Sequence, residues 1–109
     1  MDKAAFIVVF TTVPDKISGE RIAQALVESR VAACASLCLP CESTYWWQGA
    51  VSRETEHTLI IKTTARLYPA VEQKIRELHP YEVPEIIALP ILRGSQPYLN
   101  WIASETRSD

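Results

Sequence analysis

The stretch from Val51 to about Thr64, ending in Leu59-Ile60-Ile61, reads as one long β-strand. It follows Ser43-Thr44-Tyr45-Trp46-Trp47, with Gln48-Gly49 as the turn of a hairpin. Such a strand constrains the fold more than any other feature. Fourteen residues at about 3.3 Å each reach roughly 46 Å. A compact domain of 109 residues has a radius of gyration of about 13 Å and a diameter of roughly 34 Å. An unbroken strand must therefore overhang its own domain or bend sharply. The overhanging end carries Tyr45, Trp46 and Trp47, and neighbouring strand residues point to opposite faces, so the three rings cannot share one small core. A bare ribbon with rings on both faces invites aggregation unless a partner covers it. Aromatic residues also suit interface cores. The arithmetic predicts a homo-oligomer with these three residues at the subunit interface.

The rest of the chain supplies a small α+β domain. Phe6 to Phe10 is a β-branched and aromatic run suited to a strand covered on both faces. Ser18 and Gly19 can open a helix, whose apolar stripe is Ile22, Ala23, Leu26 and Val27. Val31 to Leu39 alternates as a strand. Leu67, Val71, Ile75 and Leu78 mark a second helix, which Pro80 ends. Ile86 to Ile91 reads as a buried strand, and Pro97 to Ile102 as a short last helix. The order is β-α-β-β-α-β, with the middle region elaborated by the hairpin and a terminal helix added, and it predicts a split βαβ sandwich over residues 1–109, an antiparallel sheet with helices on one face. There are no repeats or linkers.

Eleven Lys and Arg against thirteen Asp and Glu give a net charge of −2, unlike the basic stripe of a nucleic-acid binder. No apolar run approaches the roughly 20 residues of a membrane span, and the opening segment reads as a strand rather than a signal sequence. We expect a cytoplasmic protein that binds neither nucleic acid nor membrane. Cys34, Cys38 and Cys41 are an odd count in one stretch, a poor disulfide framework without a fourth ligand at zinc spacing. Period two puts Cys34 and Cys38 on one face and Cys41 on the other, if the strand survives Pro40. Cys38 and Cys41 flank that proline and could meet a soft metal such as Cu(I).

Leu78-His79-Pro80-Tyr81-Glu82-Val83-Pro84-Glu85 is the most unusual segment. An imidazole and two carboxylates within a stiffened turn suit copper, zinc or nickel. The alternative is that His79 caps the second helix. No phosphate loop, G-x-S-x-G elbow, H-E-x-x-H or kinase signature is present, and no residue is assigned a catalytic role.

Taken together, several segments resemble the CutA family of divalent-cation tolerance proteins. They are Val8 to Asp15, Leu26 to Cys34, Tyr45-Trp46-Trp47-Gln48-Gly49, Glu56 to Thr63, His79 to Pro90 and Tyr98 to Ile102. The resemblance implies a ferredoxin-like fold and a homotrimer similar to the PII signalling proteins. It also implies a non-enzymatic role in tolerance of divalent metal, copper above all, with no organic cofactor. It carries over His79 and Glu85 as metal ligands. Thr11 stands where copper-binding members place a cysteine, and Leu78 where they place a second histidine; a hydroxyl is a much weaker ligand than a thiolate. A PII-like signalling or scaffold module, binding a small molecule or protein in clefts between subunits, is the alternative.

Overall fold

A computed structural model describes residues 5–108. The elements run β1 (Phe6–Val13), α1 (Lys16–Glu28), β2 (Cys34–Leu37), β3 (Cys41–Trp47), β4 (Ala50–Thr64), a 3-10 turn (Ala65–Leu67), α2 (Tyr68–Leu78), β5 (Ile87–Pro90) and α3 (Gln96–Glu105). This is the expected order, and the mixed fold with its antiparallel sheet and packed helices is the one the patterning implies. The sheet order is β2-β4-β1-β5, with β3 paired to β4 alone.

β4 sits at the centre because it is long enough to serve three partners. Its second half pairs with β1, from Val13↔His57 to Phe6↔Thr64, and with β2, from Leu37↔Leu59 to Cys34↔Lys62. Its first half pairs with β3, from Cys41↔Glu56 to Trp47↔Ala50. The strand is unbroken over 15 residues, so the β3–β4 ribbon projects, and the chain is drawn out to 44 × 31 × 23 Å. Gln48 and Gly49 close the ribbon with φ of 50° and 81°. Two successive left-handed residues give the tight turn whose twist matches the strands it joins.

The core lies on one face of the sheet. Ile7, Val9 and Val13 of β1 and Leu59 and Ile61 of β4 meet Ile22 and Leu26 of α1 and Val71 and Ile75 of α2. β1 is thus buried at alternate positions rather than covered on both faces as its composition suggested. The other face carries Phe6, Val8, Phe10 and Ile60, half-buried.

Two further expectations need correction. α1 begins at Lys16, not at Ser18-Gly19, because the Asp15 carboxylate accepts the Ser18 N–H at 2.7 Å and caps the helix. β5 was expected to be buried, yet Ile87 and Leu89 are 52% and 53% exposed. The strand lies at the sheet edge, bonded only to β1, from Ile7↔Pro90 to Phe10↔Ile87. Among the described residues its apolar run therefore finds no cover.

Candidate functional site

A groove of about 820 Å³ opens where the ribbon meets the segment after α2. Pairing register explains its first wall. Tyr45 lies opposite Ser52 and Trp47 opposite Ala50, on the same side of β4 as Glu54 and Glu56. Trp46, opposite Val51, points to the other side and is 74% exposed. The three rings expected at an interface are thus split: Tyr45 and Trp47 line the groove and Trp46 does not.

His79 builds the second wall. It follows the last residue of α2, and its N–H donates to Ile75 O at 2.8 Å, closing the helix. Its ring Nδ1 accepts the Tyr81 N–H at 3.0 Å. Nε2 therefore carries the ring hydrogen and donates it to Thr12 O at 2.6 Å. The ring is only 8% exposed and packs on Tyr81, centroids 4.8 Å apart. His79 thereby fastens the turn to the end of β1, and Pro80 and Pro84 hold the turn stiff.

That fastening aims Tyr81 at β4. Its hydroxyl donates to Glu56 Oε2 at 2.9 Å. Glu56 is 6% exposed, and no ion pair among the described residues involves it. Burial first, then the bond to Glu56 and its charge, push the Tyr81 phenol well above its usual range. Tyr45 is raised more mildly by burial and by the charges of Glu54 and Glu56. Glu82 and Glu85 complete the acidic lining.

The residues expected to hold metal are placed as follows. Glu85 is exposed and lines the groove. His79 stands behind the lining with both ring nitrogens bonded to backbone. Thr11 points into the core, fully buried, its Oγ1 without a partner. Among the described residues, no three His, Cys, Asp or Glu side chains gather as a metal centre would require. Among its described residues, one chain therefore does not by itself complete a ligand set for a divalent ion.

The cysteines are all free. β2 stops at Leu37, yet the Cys38 N–H still donates to Thr58 O at 2.9 Å, and Cys41 lies opposite Glu56. Three steps on one strand thus span two on the other, a bulge of one residue at Leu39-Pro40. The bulge turns Cys41 to the Thr58 side, where its Sγ lies 4.0 Å from Thr58 Oγ1. Period two had placed Cys41 on the face opposite Cys38; the extra residue reverses that. His57 bonds Cys38 O through Nδ1 at 3.1 Å.

Glu56 and Tyr81 were not singled out as site residues from the sequence. The signal that could have found them is phase: Glu56 stands an even number of positions from the residues opposite Tyr45 and Trp47, and Tyr81 lies between two prolines.

Known proteins share this fold. The CutA1 divalent ion tolerance protein family matches residues 7–105. The chain is 44% identical over 99 residues to the divalent-cation tolerance protein CutA of Thermus thermophilus, covering 91% of this chain and 96% of that one. It is 44% identical over 101 residues to the chloroplastic CutA 1 of rice, covering 93% of this chain but only 57% of that longer protein. The crystal structure of CutA1 from Shewanella sp. SIB1 superposes with a TM-score of 0.95 at 43% identity, over 98% of this chain and 100% of that one. With the match spanning nearly every element and the groove-forming segments alike, the chain belongs to the CutA1 divalent ion tolerance protein family.

Proposed function

We propose that this chain serves divalent-metal tolerance in the cytoplasm as a non-enzymatic homotrimer, with copper as its metal. Family membership is the observation that carries this reading. His79 and Glu85 are the ligands it names. Glu85 offers its carboxylate at the open side of the groove. His79 contributes its unprotonated Nδ1 only by releasing the Tyr81 N–H, so metal capture and movement of the 79–85 turn go together. Calorimetric titration of copper and zinc into wild type, His79→Ala and Glu85→Gln tests it. A drop in copper affinity of about tenfold or more in both variants is expected. Equal, weak binding in all three proteins removes the assignment.

The homotrimer is supported by three features that one chain leaves uncovered: the projecting ribbon, Trp46 at its side, and the apolar edge strand β5. No described helix is long and apolar enough to cross a membrane.

A second reading, a PII-like module that binds a small molecule in its clefts, is favoured by the groove itself. Three aromatic rings and a buried carboxylate around about 820 Å³ suit an organic ligand better than a bare ion.

A further inference from the structure

We propose that the groove binds an organic cation, an ammonium group on a small carbon frame, seated against Glu56 and faced by Tyr45, Trp47 and Tyr81. This deepens the small-molecule reading and rests on it.

The lining chemistry is one-sided. Tyr45, Trp47 and Tyr81 supply aromatic rings, Glu56, Glu82 and Glu85 supply carboxylates, and among the described residues the rest of the lining carries no Lys, Arg or His. Ring faces are electron-rich and attract cations, most strongly where water is excluded. Carboxylates beside them repel anions and lose solvation against a neutral guest.

Glu56 adds an independent pointer. It is more than nine-tenths buried, it lines the groove, and its single protein donor among the described residues is Tyr81, on Oε2. A buried carboxylate normally stands opposite a positive partner. The described residues hold Glu56 in place without supplying one. The missing charge belongs on the groove side, since that is the side the carboxylate lines.

A metal ion satisfies the charge but not the walls. It needs several donors converging on a point, and no three gather among the described residues. An ammonium group needs one or two acceptors and a broad, polarisable enclosure, and the groove supplies both. Its volume of about 820 Å³ leaves room for a ring or short chain beside the charged head.

Three probes of nearly one shape separate charge from shape: 2-phenylethylammonium, neutral 2-phenylethanol and anionic phenylacetate. Each is titrated by calorimetry, with EDTA present, into the protein in its solution assembly. The ammonium is expected to bind at least tenfold tighter than the alcohol, and phenylacetate not at all. Glu56→Gln should remove most of that preference, and Trp47→Leu should weaken ammonium binding about tenfold. Since Trp47→Leu could disturb assembly, Tyr45→Leu gives a second ring deletion, read only at the wild-type sedimentation coefficient. Equal binding of ammonium and alcohol, or binding of phenylacetate alone, overturns the cation while leaving the small-molecule groove standing. Ammonium binding unaltered by Glu56→Gln and both ring deletions places it elsewhere and overturns the proposal. Failure of all three probes to bind overturns the small-molecule reading together with this one.

Discussion

The bond from the Tyr81 hydroxyl to Glu56 joins the two walls of the groove, and it sets the behaviour of single residues there. Tyr81→Phe keeps the ring and deletes the donor to a buried charge. Hydrogen bonds to charged groups contribute about 1.5–3 kcal/mol, and with Tyr81 only partly buried we expect a loss of about 1–2 kcal/mol in denaturant unfolding. The same bond gives an alkaline signature. Folding raises the phenol above its ordinary value of 10.0, so its contribution is complete below pH 10 and lost as pH rises beyond. Tyr45 and Tyr68 are raised too, so the check is a difference: above pH 10 wild type should lose stability more steeply than Tyr81→Phe. Parallel curves would contradict it. At this scale the sequence was only half legible. The 79–85 segment stood out because two prolines bracket an imidazole and carboxylates. That His79 caps α2 was legible, but the bond of its ring to Thr12 O was not, because Thr12 lies far along the chain.

Elements were read best where periodicity spoke and worst where a cap or an extra residue decided. The stripes Ile22–Leu26 and Val71–Ile75 found both core helices, since each buries one face against the sheet. The start of α1 was misread because Ser18 looked like the cap, whereas Asp15 provides it. Ser18 N–H holds the Asp15 carboxyl below its ordinary value, so this cap stabilises above about pH 4 and fails as pH falls further. Asp15→Ala should therefore melt a few degrees lower than wild type at pH 7, with the gap narrowing as pH falls below about 4. A gap independent of pH would rule out the charged cap. Gly19 tests how closely α1 approaches the sheet. A methyl there would sit 2.6 Å from Leu37 Cδ1 and 3.1 Å from Val13 Cγ2. Alanine gains about 1 kcal/mol in helix propensity, but overpacking costs about 1–3 kcal/mol, and Val13 is a stiff buried side chain. Gly19→Ala should thus be destabilising by about 1 kcal/mol in urea, and a more stable variant would mean that Leu37 yields freely. The bulge at Leu39-Pro40 left no mark in the alternation, because one inserted residue shifts phase without changing composition.

For the whole molecule, length arithmetic outperformed composition. The reach estimated for β4 implied an overhang before any contact was known, and the chain extends 44 Å along its longest axis. Composition erred at β5, and the error is instructive. A continuous apolar run signals cover on both faces, and in a single chain Ile87 and Leu89 lack it. Selection on a sequence acts on the state in which the protein works, so a run written for burial and found exposed argues for a surface supplied by another copy. The ribbon makes the same argument: two strands alone are marginal in water, and this pair carries Trp46 and Trp47 at 74% and 47% exposure. Covering Trp46 fully would contribute about 3–5 kcal/mol per subunit at 25 cal/mol per Å². Trp46 is absent from the core cluster, so Trp46→Ala leaves the isolated fold nearly as it was. It should raise the dissociation constant of the assembly by about 100-fold or more, since each 1.4 kcal/mol is tenfold. Trp47→Ala should do likewise, weakening assembly before it touches the core. Sedimentation velocity across micromolar concentrations reads both. Wild type should run as the trimer where the variants have begun to dissociate, while far-ultraviolet circular dichroism stays unchanged. A wild-type monomer at tens of micromolar would leave the ribbon and β5 bare in solution, and with them would go the reason for any cleft between subunits.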